Sequence, residues 1–377
     1  MKRHIYADNA ATTQLDKAAF DAMVLWLAIE YGNASQLYSF ARKPKKAIAE
    51  ARAVIAECIN ALPEEIYFTS CGTESDNWAI KGSAFSDAAH RATITSAFEH
   101  HAILNACKAI ERMGYPVKYL QPDASGTISP KSLESALSPD TRLVSIMFAN
   151  NEIGSIQPIK ALCEIAHSCG AYFHTDAVQA VGHVDIDVKE LGVDMLSSSA
   201  HKFNGPKGIG FLYVKQGTEI LPYLDGGSQE RGYRAGTENV ASIVGMAAAL
   251  KGNCEKLSAN AGHLKRLERL LLSGLDSFNI SYKRNGGLHT LPGLLSLSFP
   301  GADGEAILHR MDLMGISIST GSACTSSRTE ISHVLKAIRL DESAAAGTVR
   351  ISLGKSNTVE DVEEIVKALA KILHSRE

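Results

Sequence analysis

The sequence predicts an α/β fold, with a mainly parallel central sheet, flanking helices and a smaller α+β region. Short apolar runs alternate with helical patterns from about residue 66 to residue 214, which is the usual sign of a parallel sheet flanked by helices. One run is apolar at nearly every position, as expected for a strand covered on both faces. The pattern changes after about residue 255. A chain of 377 residues is long enough for two or three domains.

Seven apolar runs predict the strands of the central sheet. In chain order they are residues 66–69, 92–96, 117–120, 143–148, 171–175, 195–199 and 209–214. Between them, apolar side chains recur at helical spacing over residues 48–59 and 159–166. This order of elements predicts repeated strand, helix, strand units and a buried sheet.

The last third of the chain has a different pattern. It predicts a long charged helix near residues 261–276, sparse strands at residues 294–299 and 349–353, and a final helix over residues 358–373. Thr358 stands where that helix would need an N-cap. We expect these elements to form the smaller α+β unit.

Composition excludes several classes of partner. The chain has 41 acidic and 38 basic residues and a net charge of −3, so nucleic acid and anionic membranes are not expected as main partners. The longest uncharged apolar run, residues 240–250, is too short to span a bilayer, and the basic amino terminus lacks the apolar stretch of a signal peptide. Seven cysteines, an odd number without a C-x-x-C pair, indicate reduced thiols. We expect a soluble cytoplasmic protein.

A lysine follows the predicted strand at residues 195–199. Lys202 lies where the chain leaves this strand for glycine-rich turns, and such loops form the crevice where α/β proteins bind ligands. A nucleophilic lysine needs desolvation or a nearby cation, and bonding to a cofactor aldehyde is one such task. An ordinary exposed loop lysine is the alternative.

Two other strand ends carry polar groups that suit a cofactor. Asp176 ends the predicted strand at residues 171–175, where a carboxylate would stay ionised beside a pyridinium nitrogen or else cap the next helix. The small residues of the turn at 70–77 would offer helix N–H groups to a phosphate, although capping explains Thr73 and Ser75 equally well. This turn lacks the Walker lysine and the G-x-G-x-x-G spacing of nucleotide sites.

Histidines at the same edge of the predicted sheet are also compatible with a second class of function, metal-dependent catalysis. Residues 99–101 and 150–152 also follow predicted strands. Their spacing matches no zinc signature, but a metal-dependent hydrolase remains an alternative. Its candidate ligands would be His100, His101, His174 and Asp176.

One cysteine differs from the other six in its surroundings. Cys324 lies in a run of small polar residues, 317–328, that ends in Arg328. An accessible thiol with a cationic neighbour is where cysteine reactivity is expected. The alternative is a bystander thiol in a linker.

Together these segments resemble the cysteine desulfurases, pyridoxal-phosphate enzymes of fold type I in the class-V aminotransferase family. The resemblance is to the nitrogen-fixation and iron–sulfur-assembly subgroup. It runs from residues 6–13 to residues 350–354, with the motifs in the family's order. Cys71 and Ser228 stand where the family commonly has glycine, and neither change removes a catalytic group.

The resemblance implies a role for each candidate residue. Lys202 would bond to the aldehyde of pyridoxal 5'-phosphate and later move protons at the substrate α-carbon, and His100 would stack on the ring and assist. The other implied contacts are Asp176 to the pyridine nitrogen, Gln179 to the ring hydroxyl, Gly72, Thr73, Ser199 and His201 to the phosphate, Thr237 to the partner subunit's phosphate, and Asn151 with Arg350 to the substrate carboxylate. An arginine suits a carboxylate because its planar fork pairs with both oxygens. A homodimer follows from the role of Thr237.

The implied reaction converts L-cysteine to L-alanine and transfers the sulfur to Cys324 as a persulfide. An acceptor protein, either an iron–sulfur scaffold or a thiolation enzyme, would then take the sulfur for cluster, thio-cofactor or tRNA synthesis. A selenocysteine lyase, another class-V aminotransferase, and a non-catalytic sulfur-relay protein of the same fold are the alternatives.

The resemblance also implies a domain division. Residues 16–255 would form the large cofactor-binding α/β domain. Residues 1–15 and 256–377 would form the small α+β domain that carries the catalytic-cysteine loop.

Overall fold

The computed structural model describes residues 4–87, 89–320 and 331–374. Its strands are β1 (Ile5–Tyr6), β2 (Ile66–Thr69), β3 (Ala92–Ser96), β4 (Val117–Leu120), β5 (Thr141–Ser145), β6 (Tyr172–Asp176), β7 (Met195–Ser199), β8 (Gly210–Val214), β9 (Lys283–Asn285), β10 (Leu294–Ser298), β11 (Ile316–Ser317) and β12 (Thr348–Ser352). Its helices are α1 (Lys17–Ala28), α2 (Arg42–Cys58), α3 (Gly72–Ala84), α4 (His101–Arg112), α5 (Pro130–Ala136), α6 (Ile159–Ser168), α7 (Val188–Leu191), α8 (Val240–Cys254), α9 (Leu257–Ser277), α10 (Gly304–Leu313), α11 (His333–Ala337), α12 (Glu342–Ala346) and α13 (Val359–His374). Short 3₁₀ turns lie at Ser39–Ala41, Pro63–Glu65, Ala200–Lys202 and Gln229–Gly232.

Seven of these strands form the central sheet, in the order β2, β8, β7, β6, β5, β3, β4. The strands run parallel except β8, which is antiparallel to both β2 and β7. The predicted α/β fold with a mainly parallel sheet is therefore confirmed. Because parallel strands end at the same edge, the residues that follow β3, β5, β6 and β7 converge there.

Both faces of this sheet are buried. Successive side chains of a strand point to opposite faces, so two neighbouring residues show what covers each face. Leu143 of β5 packs with Trp78 of α3 and Ile103 of α4 on one face. Its neighbour Val144 joins the larger core on the other face, which includes Phe173 of β6. Helices therefore cover the sheet on both sides, as the apolar runs predicted.

Three predicted strands of the central sheet had bounds that were wrong by one to three residues. One is the seventh run, predicted at residues 209–214, whereas β8 spans Gly210–Val214. The prediction for the fourth run was residues 143–148, whereas β5 spans Thr141–Ser145. The Phe148 N–H still donates to the Asp176 carbonyl at 2.8 Å, but the Met147 N–H donates to the side chain of Glu99 at 3.0 Å. The buried Glu99 carboxyl thus takes the place of a neighbouring strand as the acceptor for Met147, just beyond β5. The fifth run, predicted at residues 171–175, forms β6 one residue later.

The elements in the last third of the chain form a second hydrophobic core. An antiparallel sheet of β12, β10 and β9 packs with α9, α10 and α13 around residues such as Leu271, Leu297 and Leu369. The amino-terminal strand β1 pairs with β11 and contributes Ile5 to this core. The division of the chain at residues 16 and 255 stays a prediction.

The final helix begins as predicted. The Asp361 N–H donates to Thr358 Oγ1 at 3.3 Å, and the Asp361 carboxylate accepts from the Thr358 N–H at 3.1 Å. This reciprocal pair satisfies backbone donors that the first turn leaves free. Within the described ranges, no helix is both long and apolar enough to cross a membrane.

Candidate active site

A cavity of about 290 Å³ opens at the carboxyl edge of the central sheet. All but two of the predicted site residues line it. They are Gly72, Thr73, His100, Asn151, Asp176, Gln179, Ser199, His201, Lys202 and Arg350. Other lining residues include Ala10, Ala11, Cys71, Asp76 and Met147. The loops after β2, β5, β6 and β7, the start of α4, strand β12 and the amino-terminal segment meet at this cavity.

Lys202 ends the 3₁₀ turn that follows β7, and its side chain reaches the cavity. The Nζ atom donates hydrogen bonds to the carbonyls of Ala10 at 2.6 Å and Ala11 at 2.8 Å. Gln179 Nε2 also donates to the Ala10 carbonyl, at 2.9 Å. The amino-terminal segment therefore orients two of the predicted cofactor contacts. In the sequence alone, this segment is identified only as the start of the family resemblance.

Asp176 ends β6 and is 5% exposed. Its Oδ1 accepts a hydrogen bond from the Val178 N–H at 2.9 Å. Burial raises the pKa of Asp176 to about 6, while the charge of Lys202 acts in the opposite direction. The group is thus mainly a carboxylate at neutral pH, and a cation placed beside it would be strongly favoured.

Asp76 is a second buried carboxyl at the cavity that the sequence analysis missed. It lies one turn after Gly72 on α3 and is 1% exposed. Burial, followed by the neighbouring Asp176 charge, raises the pKa of Asp76 well above its usual value. Its Oδ1 has no hydrogen-bond partner among the described residues. The available signal was the i, i+4 spacing from Gly72, which places both residues on one helix face.

His100 is the N-cap of α4 and faces the cavity. Its Nδ1 accepts a hydrogen bond from the Ala102 N–H at 3.2 Å, which leaves the ring proton on Nε2. Burial, with a further contribution from the Lys202 charge, lowers the pKa of His100 to about 4. The imidazole is therefore neutral at physiological pH, as suits a ring that stacks on another ring.

The start of α3 has the features of a phosphate site. A Cβ at Gly72 would lie 2.5 Å from Val178 Cγ2, so a larger residue here would have to displace that side chain. The first turn of a helix directs N–H groups and a positive dipole end toward an anion. The buried Ser199 hydroxyl beside it has no hydrogen-bond partner within the described ranges. An orphaned donor next to a glycine cradle fits a bound phosphate.

Arg350 of β12 brings a buried positive charge to the same cavity. The residue is 4% exposed; its Nη2 donates to Asp8 at 2.7 Å and its Nη1 donates to the Asn151 carbonyl at 2.9 Å. In the part of the chain that the structure describes, its Nε has no hydrogen-bond acceptor. A guanidinium with an unused buried donor is suited to receive a carboxylate.

Of the other two predicted residues, one lies elsewhere and one is outside the described part of the chain. Thr237 is exposed and lies on the segment between the last 3₁₀ turn and α8. Cys324 lies in residues 321–330, outside the described residues.

The histidines of the metal hypothesis do not converge on one point. His174 is fully buried, and its ring nitrogens are bonded to Ser145 and Ser197, both at 2.9 Å. Within residues 4–87, 89–320 and 331–374, no group of three or more histidine, cysteine or acidic side chains is arranged to hold a metal ion.

The chemistry of the cavity fits pyridoxal phosphate. An amine, a buried carboxylate, a neutral imidazole and a phosphate cradle would serve the aldehyde, the ring nitrogen, the ring face and the phosphate of this cofactor. Lys202, Asp176, His100 and Gly72 supply them in that order.

Comparison with known proteins agrees with this chemistry. The model of the family "Aminotransferase class-V" matches residues 5–365. Cysteine desulfurase IscS of Clostridium botulinum (strain Hall) is 44% identical over 380 residues, covering 100% of this chain and 96% of that protein. Cysteine desulfurase IscS of Dictyoglomus turgidum is 46% identical over 375 residues, covering 99% and 95%.

Solved structures show the same similarity. A NifS-like protein superposes with a TM-score of 0.93 at 38% identity, covering 99% of this chain and 100% of that chain. SspA in complex with cysteine gives a TM-score of 0.84 at 37% identity, covering 94% and 100%. The chain belongs to the class-V aminotransferase family, as a member of its cysteine desulfurase group.

Proposed function

We propose that this chain is a pyridoxal-phosphate-dependent cysteine desulfurase that converts L-cysteine to L-alanine. The sulfur passes to Cys324 as a persulfide. The observation that carries this proposal is the convergence of Lys202, Asp176, His100 and Arg350 on one cavity. The cysteine desulfurases among the relatives, and SspA with its bound cysteine, support the same substrate.

Different residues of the cavity would contact different parts of the cofactor. Lys202 would hold its aldehyde carbon, Asp176 its ring nitrogen and Gln179 its ring hydroxyl. Gly72, Thr73, Ser199 and His201 would hold its phosphate. When bound, pyridoxal phosphate supplies an electron-withdrawing ring that accepts the electron pair left on the substrate α-carbon.

The remaining groups orient the substrate and move its protons. Arg350 and Asn151 hold the substrate carboxylate, and the pairing of Arg350 with Asp8 keeps the guanidinium in place. Once the substrate amine has replaced Lys202 at the aldehyde carbon, the freed Lys202 amine would take the α-proton and return it. The Ala10 and Ala11 carbonyls keep its Nζ at the cavity. His100 is neutral and presents an Nε2 proton, so it can assist this transfer.

The sulfur transfer balances without another reactant. The Cys324 sulfur bonds to the substrate sulfur while the bond between that sulfur and the substrate Cβ breaks. The electron pair stays on carbon, which receives the proton lost from Cys324 and becomes the methyl group of alanine. One cysteine and one enzyme thiol thus yield alanine and one enzyme persulfide.

We also propose that the enzyme is a homodimer in which Thr237 contacts the cofactor phosphate of the partner subunit. Exposed large apolar side chains concentrate on α1 and the segment after it, including Phe20, Leu27 and Tyr31. This surface lies near Thr237, because Ser35 donates to Glu238 at 3.2 Å. The adjacent Arg234 pairs with Glu74 in the first turn of α3, so the same segment borders the phosphate site.

The sulfur acceptor in this proposal is a separate protein, an iron–sulfur scaffold or a thiolation enzyme. We place the reaction in the cytoplasm because the odd cysteine count and a reactive thiol both suit a reducing compartment. The six cysteines in the described ranges are free thiols.

A spectrum and a mass measurement test the proposed function. The purified protein should show a visible band that disappears in Lys202→Ala. Wild-type protein should release alanine from cysteine and carry one extra sulfur on the peptide that contains Cys324. Full alanine release by Cys324→Ala would contradict the persulfide step, and turnover of an amino acid with a 2-oxo acid would indicate an aminotransferase instead.

A further inference from the structure

Glu152 is a buried carboxyl with no part in the mechanism above. It is 6% exposed and does not line the cavity, whereas its neighbour Asn151 does. Its Oε2 accepts a hydrogen bond from Ser332 Oγ at 2.5 Å. Burial raises the pKa of Glu152 to about 7, and the Ser332 hydrogen bond and the Arg350 charge both oppose this. A buried carboxyl is costly in stability unless it is hydrogen-bonded, so its contact with Ser332 matters.

Ser332 is the second described residue after the segment that carries Cys324. It lies eight residues after Cys324 and is 6% exposed. Its hydroxyl oxygen also caps α11, accepting a hydrogen bond from the Val334 N–H at 3.1 Å. The contact with Glu152 therefore joins the start of α11 to the loop after β5.

The next residue makes a second link of the same kind. His333 Nε2 donates to the Glu99 carbonyl at 2.9 Å. Glu99 directly precedes His100, just as Glu152 directly follows Asn151. Two adjacent residues at the start of α11 are thus bonded to the two loops that supply the ring-stacking imidazole and a substrate contact.

We infer that Glu152 is a positioning residue for sulfur transfer, holding Ser332, and with it one end of the Cys324 segment, against the substrate-binding loop. The inference rests on the proposed function. Transfer requires the two sulfur atoms to meet at bonding distance, and a misplacement of about 1 Å can cost about 100-fold in rate. A hydrogen bond between buried groups supplies that constraint better than an apolar contact, because it is directional.

The test compares Glu152→Ala and Glu152→Gln with wild-type holoenzyme. The measured quantities are the single-turnover rate of persulfide formation, the KM for cysteine, and the absorbance change of the bound cofactor when cysteine is added. We expect Glu152→Ala to transfer sulfur about 10- to 100-fold more slowly, with KM and the absorbance change within about twofold of wild type. Glu152→Gln should recover most of the rate, because its amide oxygen still accepts from Ser332.

Two further variants separate positioning from stability. Glu65 is equally buried, accepts backbone hydrogen bonds from Leu62 and Gln216, and does not line the cavity, so Glu65→Ala should keep the wild-type transfer rate. Ser332→Ala removes the same contact from the other side. Its effect should not add to that of Glu152→Ala in the double variant.

Several outcomes would overturn the inference. They are a wild-type transfer rate in Glu152→Ala, an equal loss in Glu65→Ala, an absorbance change lost together with transfer, or additive effects in the double variant. Cys324→Ala in the same series distinguishes the two proposals. If it is inactive while Glu152→Ala is normal, only the positioning role fails. If Cys324→Ala retains full transfer, the proposed function fails and this inference fails with it.

Discussion

At the scale of single residues, the strand ends of the central sheet determine which groups reach the cavity. Lys202 and Asp176 could be predicted because each follows a recognisable apolar run, and the end of a parallel strand is a local property of the sequence. The burial of Asp76 and Glu99 was not predicted. Both belong to helical or capping segments in which an acidic residue is ordinary, and only their burial in the fold makes them unusual.

The buried Asp76 carboxyl predicts a pH-dependent stability difference. Asp176, Glu99 and Cys71 all face it and disfavour its charge, and Ser197 donates a hydrogen bond to it. The pKa of Asp76 is higher in the folded chain than in the unfolded one. Its contribution to the free energy of unfolding is therefore fully present below the unfolded pKa and is lost as pH rises toward the folded pKa. Asp76→Asn removes this loss. In cofactor-free protein, the Tm of Asp76→Asn relative to wild type should therefore rise by a few degrees between pH 5 and pH 8.

The matched control for that measurement is Asp187→Asn. The pKa of Asp187 is lowered, chiefly by the hydrogen bond from the Glu190 N–H, and its hydrogen-bond donors, the Asn60 amide and the backbone N–H groups of Lys189 and Glu190, do not titrate between pH 5 and pH 8. Asp187 stays ionised over the whole range, so its Tm difference from wild type should not change between pH 5 and pH 8. A Tm difference for Asp76→Asn that is equally constant would show that Asp76 is charged in the folded protein.

At the scale of elements, the start of a helix can be predicted from the residues next to it in the sequence. The predicted N-cap Thr358 is present, and the helix that it begins packs against α9 in the second core. Strand ends were less predictable: just beyond β5, the Met147 N–H donates to Glu99, which comes from another segment, and not to a neighbouring strand. Periodicity in a single run cannot reveal a side chain that arrives from elsewhere.

Thr358→Ala should destabilise the cofactor-free protein by about 1 kcal/mol, because the Asp361 N–H loses its acceptor. Urea unfolding at constant pH measures this free energy. Thr358→Ser keeps the hydroxyl and should stay close to wild type. Equal losses in both variants would mean that the methyl group, and not the cap, supplies the stability.

At the scale of the whole molecule, the apolar surface of α1 is the feature that the described chain leaves unexplained. Of the large apolar side chains that are exposed in the described ranges, Phe20, Val24, Leu25, Leu27, Ile29, Tyr31, Leu37, Tyr38 and Phe40 lie within residues 20–40. A concentration of exposed apolar side chains of this kind is typical of a subunit interface. The proposed dimer covers it and brings Thr237 to the partner's cofactor.

Leu27→Asp should therefore shift the protein from dimer to monomer in light-scattering measurements. It should also weaken retention of the cofactor, because the contact from Thr237 would be lost. Leu313→Asp, on the exposed end of α10, provides the control, since Leu313 is 86% exposed and lies outside this surface. A Leu27→Asp protein that remains a dimer would place the interface elsewhere.

The sequence by itself determined the α/β class, the strands of the sheet and most of the cavity residues. These depend on short-range periodicity and on motifs that are contiguous in the chain. Only the tertiary structure decided the contacts between distant segments. Arg350 meets Asp8, Lys202 meets the Ala10 carbonyl, and Glu152 meets Ser332. Each pair is separated by more than a hundred residues, and no local pattern specifies a partner at that distance.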